Sequence, residues 1–210
     1  MKIGVVAVQG AVSEHVETLR KAMEKSKLDG TVAYVRRLKD LDDISGLVIP
    51  GGESTTISRL IQSTGMYSRI VQLAKDGTPI LGTCAGTILL AKEGDEQVKQ
   101  TGTQLLSLLD MKVLRNAYGR QVDSFEADIE IPEIGEKPFR AVFIRAPTIE
   151  KVWNNTRVWT KYRGAIVGTK KKNILALTFH PELSGDLRIH KHFLKMTTRQ
   201  GEQSSSKAQK

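Results

Sequence analysis

The stretch Thr78-Pro79-Ile80-Leu81-Gly82-Thr83-Cys84-Ala85-Gly86-Thr87-Ile88-Leu89-Leu90 constrains this chain more than any other. One short apolar run enters Gly-Thr-Cys-Ala-Gly and another leaves it, which reads as a buried strand, a sharp turn and a helix. Cys84 sits at the apex of a Gly-x-nucleophile-x-Gly elbow, with a thiol in place of the hydroxyl of the hydrolase version. The apical residue of such an elbow takes strained backbone angles, and side chains two positions to either side would strike the adjoining strand and helix. A sulfur at a helix start faces free N–H groups, which favour its anion. The Ala85 amide points toward any oxyanion formed by attack from Cys84. A lone cysteine is by default a small buried hydrophobe. Here the flanking glycines oppose that reading, and a matching base far along the chain opposes it further.

Composition narrows the class. A chain of 210 residues can bury one α/β core. We expect a single domain over 1–198 and a disordered tail over 199–210, where Ser, Gln and Lys predominate. The one cysteine cannot form an internal disulfide, so a reducing, cytoplasmic setting is expected. Met1-Lys2-Ile3-Gly4-Val5 reads as a first strand rather than a signal sequence, and no apolar run has the length of a membrane span. The net charge of +9 raises the question of nucleic acid. The basic residues are scattered, however, and no aromatic platform accompanies the densest run, Lys170-Lys171-Lys172. Neither nucleic acid nor membrane is expected as a partner.

Taken in order, Lys2 to Val8 is a strand, and Val12, Val16, Leu19 and Met23 recur at helical spacing. Gln9 and Gly10 form the turn between them, at the carboxyl end of the strand, where open parallel sheets bind ligands. Thr31 to Arg36 and Leu47-Val48-Ile49 read as further parallel strands. Pro50-Gly51-Gly52-Glu53-Ser54 closes the third, with Ser54 as N-cap of the next helix. Gly51 and Gly52 leave backbone N–H groups free to approach a bound group, so the Gly52 amide is the second oxyanion candidate beside Ala85. Glu93 to Thr103 reads as loop. Met111 to Leu114, Ser124 to Ile131 and Phe139 to Ile144 follow as strands that extend the sheet in antiparallel fashion. Arg115 and Arg145 have guanidinium geometry suited to a carboxylate, although arginines in such places also pair with surface acids. Tyr162 to Gly168 and Ile174 to Phe179 form a hairpin that delivers His180-Pro181-Glu182. In extended chain His180 and Glu182 face one way, so His180 can serve Cys84 as base and Glu182 can orient the imidazole. His15, His190 and His192 fall on helices with no elbow or acid pattern beside them.

Gly82-Thr83-Cys84-Ala85-Gly86 with the distant His180-Pro181-Glu182 resembles the class I, triad-type glutamine amidotransferases. Several further blocks resemble, within that group, the glutaminase subunits of pyridoxal 5′-phosphate synthase. They are Val8-Gln9-Gly10-Ala11, Pro50 to Thr56, Gly119 to Glu126, Phe143 to Pro147 and Phe179 to Leu183. The resemblance implies an α/β three-layer sandwich of flavodoxin-like type, with a mostly parallel central sheet, helices on both faces and an antiparallel extension. It implies hydrolysis of L-glutamine through a cysteine thioester, with Cys84, His180 and Glu182 catalytic. Gly52, Glu53, Ser54, Arg115, Ile144 and Arg145 then bind glutamine, Gln9, Gly10 and Gly51 face the partner or gate the site, and no metal or cofactor is used. The implied partner is a (β/α)8-barrel synthase subunit that consumes the ammonia. Two alternatives stay open: an amidotransferase subunit of another pathway, such as imidazole glycerol phosphate synthesis, and a non-catalytic binding module on the same fold.

Overall fold

The structure, a computed structural model, describes residues 1–115 and 124–207, the side chains of 199–207 excepted. Five parallel strands form the heart of the sheet: β1 (Lys2–Val6), β2 (Thr31–Val35), β3 (Gly46–Ile49), β4 (Ile80–Thr83) and β12 (Ile174–Leu177), in the order β2-β1-β3-β4-β12. Beyond β12 the sheet continues through β11 (Ala165–Lys171), β9 (Thr148–Val152), β6 (Leu109–Leu114) and β5 (Ala91–Gly94), and β10 (Arg157–Tyr162) pairs with β11. In the extension, β12 with β11, β11 with β9 and β9 with β6 are antiparallel pairs.

Side chains alternate across the parallel strands, as a period of two requires when both faces are covered. Leu47, Ile49, Ile80, Ile174 and Ala176 join one core cluster with α2 (Ser54–Ser63), α3 (Met66–Lys75) and α4 (Ala85–Leu90). Val48, Leu81, Leu175 and Leu177 join the other, with α1 (Val12–Lys25) and α6 (Arg188–Lys207). The result is the expected three-layer sandwich. No helix among the described residues is long and apolar enough to cross a membrane.

Four details depart from expectation. Ser124 to Ile131 and Phe139 to Ile144 do not extend the sheet: β7 (Ser124–Ile129) and β8 (Phe139–Ile144) form a separate two-stranded antiparallel ribbon. Its apolar face, carrying Ala127, Ile129, Phe139, Ala141 and Phe143, covers the α1/α6 side of the sheet, with Phe143 and Phe179 rings 5.5 Å apart. Within the stretch read as loop lies α5 (Glu96–Gln100), capped by Asp95, whose carboxylate accepts from the Val98 N–H at 3.0 Å. The hairpin strand lies at Ala165–Lys171, later than expected, because β10 occupies the chain before it. The helical backbone of α6 also runs to Lys207, through most of the stretch expected as a disordered tail. Its first turns are anchored by buried Ile189, Phe193 and Leu194, and propagation from a packed start costs little where no proline intervenes. Two lysines of the basic run in the hairpin pair with distant acids, Lys170 with Glu133 at 2.7 Å and Lys171 with Asp110 at 2.6 Å.

Candidate active site

The site lies at the carboxyl ends of β1, β3, β4 and β12, on the edge where the strand order reverses around β1 and β3. Cys84 follows β4 with φ 48° and ψ −104°, the strained apex expected of an elbow. Its flanking glycines permit this turn. A Cβ on Gly86 would lie 2.1 Å from the Ile49 carbonyl oxygen, and one on Gly82 would lie 2.5 Å from Leu90 Cδ1. The Cys84 N–H donates to the Leu177 carbonyl at 2.8 Å, tying the elbow to β12.

His180 arrives just beyond β12, and its N–H donates to the Val142 carbonyl of β8 at 2.8 Å, so the separate ribbon helps to set its position. Glu182 does not reach it along extended chain. Pro181–Leu183 form a single 3₁₀ turn, and across that turn Nδ1 of His180 donates to Oε1 of Glu182 at 2.7 Å. Proline suits the first position of such a turn, having no N–H to leave unpaired. With Nδ1 so engaged, Nε2 is left to serve Cys84, which lines the same cavity as His180, while the thiol itself points to the Ile144 carbonyl at 3.9 Å. Burial disfavours the imidazolium, yet the bonds to Cys84 and Glu182 and their negative charge prevail, and the His180 pKa is raised to about 10. Glu182 is itself buried, which works against its charge, but the neighbouring imidazoles hold its carboxyl below the ordinary value.

A cavity of about 280 Å³ opens over Cys84 and His180. Gln9, Gly52, Glu53, Ser54, Ala85, Arg115, Ile144 and Arg145 line it, together with Ile88 and Pro147, which the sequence reading did not single out. Glu53, not Ser54, caps α2: its carboxylate accepts from the N–H groups of Thr55 at 3.1 Å and Thr56 at 2.6 Å, and from Arg115 Nη2 at 2.5 Å. Partial burial opposes the charge, but these donors hold the Glu53 pKa down at about 2. Ser54 is thereby left with a buried hydroxyl that has no partner among the described residues. Arg145 is exposed at the cavity with φ 41°, and no ion pair engages it among the described residues.

Gly10 and Gly51 lie beside the cavity. The Gly51 carbonyl accepts from the Ala11 N–H at 3.0 Å, and a Cβ on Gly10 would lie 1.9 Å from that carbonyl oxygen. The Gln9 side-chain oxygen accepts from the Glu53 N–H at 2.8 Å. The turn after β1 and the glycine loop after β3 are therefore one bonded unit. Residues 119–123 of the Gly119 to Glu126 block lie outside the described residues.

Comparison with known proteins decides the family. The model of the SNO glutamine amidotransferase family matches residues 5–199. The chain belongs to that family. Among relatives of this amidotransferase, the pyridoxal 5′-phosphate synthase subunit PdxT of Methanosarcina mazei is 51% identical over 194 residues, covering 92% of this chain and 97% of the relative. The subunit of the same name from Archaeoglobus fulgidus is 50% identical over 196 residues, covering 93% and 98%. A solved structure described as a crystal structure of glutamine amidotransferase matches with a TM-score of 0.83 at 36% identity, covering 93% of this chain and 98% of that one.

The sequence reading sets His15 and His190 aside, but His15 lies against Glu182 and His190 lies against His15. His15 Nε2 is 3.2 Å from Glu182 Oε2, and His15 Nδ1 is 3.2 Å from His190 Nε2. One signal for His15 was present: it falls on the same stripe of α1 as buried Val16 and Leu19, where an imidazole needs a polar partner.

Proposed function

We propose that this chain is the glutaminase subunit of a pyridoxal 5′-phosphate synthase, hydrolysing L-glutamine to L-glutamate and ammonia. The observation that carries the reading is the convergence of Cys84, His180, Glu53, Arg115 and Arg145 on one cavity. The PdxT relatives at about half identity, with nearly complete mutual coverage, point to this synthase rather than to another amidotransferase complex.

Glutamine presents a side-chain amide to be attacked and an α-carboxylate and α-ammonium to be recognised. Arg145, which no ion pair engages among the described residues, takes the carboxylate, with Arg115 beside it. The Ser54 hydroxyl and the Ile144 backbone supply polar contacts, and Glu53 sets the cation of Arg115 in place. The Cys84 thiolate attacks the side-chain carbonyl carbon. The oxyanion that forms is met by the Ala85 N–H at the helix start and by the Gly52 N–H. His180, as imidazolium, gives its proton to the departing nitrogen, and ammonia leaves as the carbonyl re-forms in a γ-glutamyl thioester. His180 then takes a proton from water, the hydroxide cleaves the thioester, and glutamate and the thiolate are released. Glu182 holds the imidazole in the required tautomer throughout. Cys84 must be a free thiolate to act, which suits the reducing cytoplasm.

The partner is a (β/α)8-barrel synthase subunit that receives the ammonia before solvent protonates it. Gln9, Gly10 and Gly51 form the gate through which docking acts. In a trans peptide the C=O and N–H point opposite ways. Displacing the turn after β1 therefore moves the Gly51 carbonyl and turns the Gly52 N–H toward or away from the oxyanion. The test is ammonia release from glutamine by the chain with its synthase subunit. Cys84→Ser is expected to stay folded and lose nearly all turnover, and unchanged release by that variant contradicts the proposal.

A further inference from the structure

Behind the triad, away from the cavity, lies a buried polar chain that the reaction as written does not use. We propose that His15 is a positioning residue of the triad, supporting the second oxygen of Glu182 from α1 while His190 on α6 fixes the His15 ring. The inference rests on the glutaminase reading above, since it concerns how that triad is held.

Each oxygen of Glu182 lies against an imidazole. Oε1 accepts from His180 Nδ1 at 2.7 Å. Oε2 is buried, and His15 Nε2 stands 3.2 Å from it with both side chains fully excluded from solvent. Thr83 Oγ1 also lies 3.0 Å from Nε2, and Oε2 has no hydrogen bond of its own among the described residues. A carboxylate oxygen offers only lone pairs, and a bare ring nitrogen at this separation would repel it. Nε2 must therefore carry the proton, shared electrostatically between Thr83 and Glu182. That leaves His15 Nδ1 as an acceptor, so His190 Nε2, 3.2 Å away, must donate to it. The chain ends at His190 Nδ1, a lone pair with no partner among the described residues. The tautomer that His15 takes beside Glu182 thus fixes every proton back to α6.

The electrostatics agree with a neutral chain. Burial, opposed by the charge of Glu182, holds His15 below its ordinary value, and burial with His15 alongside pushes His190 down to about 3. The titratable groups facing His15 are Glu182 and His180 from the 3₁₀ turn, His190 from α6 and Glu14 of its own helix. Without the Nε2–H, the buried carboxylate loses the electrostatic support of the imidazole 3.2 Å from Oε2. Its protonated form then gains at the expense of the form that orients His180. α1 also begins immediately after the Gln9–Ala11 turn, so one helix start serves the oxyanion loop while the next turn of the same helix supports Glu182.

The test compares His15→Met and His15→Gln, assayed for glutamine hydrolysis with excess synthase subunit as a function of pH. The amide nitrogen of glutamine reaches the place of Nε2, whereas methionine fills the volume without a donor. His15→Met is expected to lower kcat by about 10- to 100-fold, the scale known for removing an outer partner that orients a metal-ligating histidine. Its KM for glutamine stays within about threefold, because no binding contact is lost. The acid limb of its rate profile moves to higher pH, and His15→Gln recovers most of the loss. A wild-type kcat and an unshifted acid limb in His15→Met overturn the proposal, as does His15→Gln falling as far as His15→Met. Long-range ¹H–¹⁵N spectra of the unsubstituted chain give a second reading that needs no His15 variant. They should report His15 as the Nε2–H tautomer without titration near the free value of about 6.5, and an Nδ1–H tautomer there overturns the proposal. Failure of either kind leaves the Cys84→Ser result, and with it the glutaminase reading, untouched.

Discussion

Gly51 and His180 pack so closely that a methyl group on Gly51 would lie 2.3 Å from the imidazole Cε1 and 3.1 Å from Cys84 Cβ. The glycine loop after β3 and the imidazole after β12 therefore leave no room for a side chain between them. Gly51→Ala should displace His180 from the sulfur while leaving the cores on either side of the sheet intact. A misplacement near 1 Å costs about 10²-fold in rate. We expect kcat to fall by that order or more with a nearly unchanged melting temperature. A wild-type kcat would mean that the imidazole has room the packing denies it.

Glu182→Gln keeps the shape of the side chain and removes its charge, so the amide no longer dictates which nitrogen of His180 carries the proton. The comparable acid-to-amide change in a serine protease costs about 10⁴ in kcat. A loss of several orders of magnitude with KM within a few fold is expected from steady-state kinetics. Loss of affinity alone would move Glu182 out of the triad.

Glu53 links the site to acid stability. Its folded pKa of about 2 lies below its ordinary value of 4.5, so between these values the unfolded chain binds the extra proton. The contribution is complete above about pH 4.5 and is lost as pH falls through about 2. Because the carboxylate is 44% exposed, solvent screening keeps its size modest. Denaturant midpoints measured from pH 6 down to 2.5 should fall less steeply for Glu53→Gln than for the wild type. Parallel curves would show that the donors from Thr55, Thr56 and Arg115 do not hold the charge in solution.

The bonded unit formed by Gln9, Ala11 and Gly51 predicts a dependence on the partner. Losing one oxyanion donor costs about 10² to 10³ in rate. The chain alone should therefore hydrolyse glutamine more slowly than the chain with excess synthase subunit, by up to that factor if docking sets the Gly52 N–H. Equal rates in the two conditions would remove the gate and leave the triad as it stands.

The elbow could be read from the sequence because its constraint is local: Gly82 and Gly86 are spaced by the turn itself, and each is required by a clash the structure displays. The pair His180 and Glu182 is equally visible, although the chain joining them is a 3₁₀ turn that begins at Pro181 rather than extended. Partners across layers were invisible. His15 meets Glu182 only because α1 packs beside that turn, and nothing in the order of residues along α1 records what lies opposite. The ribbon of β7 and β8 was misassigned for the same reason, since alternation identifies a strand but not the sheet it joins. Glu53 displaced Ser54 as the cap because its longer side chain reaches two amides and Arg115 together, a preference that short-range capping rules do not weigh.

The central claim is covalent: Cys84 carries the γ-glutamyl group during turnover. It is tested most directly by acid-quenching the chain with its synthase subunit while glutamine is being hydrolysed, then measuring the mass of the peptide that contains Cys84. The account predicts a glutamyl adduct on Cys84 that decays as glutamate appears and is absent from Cys84→Ser. Glutamate and ammonia released at full rate with no adduct on Cys84, or with the adduct on another residue, would contradict it.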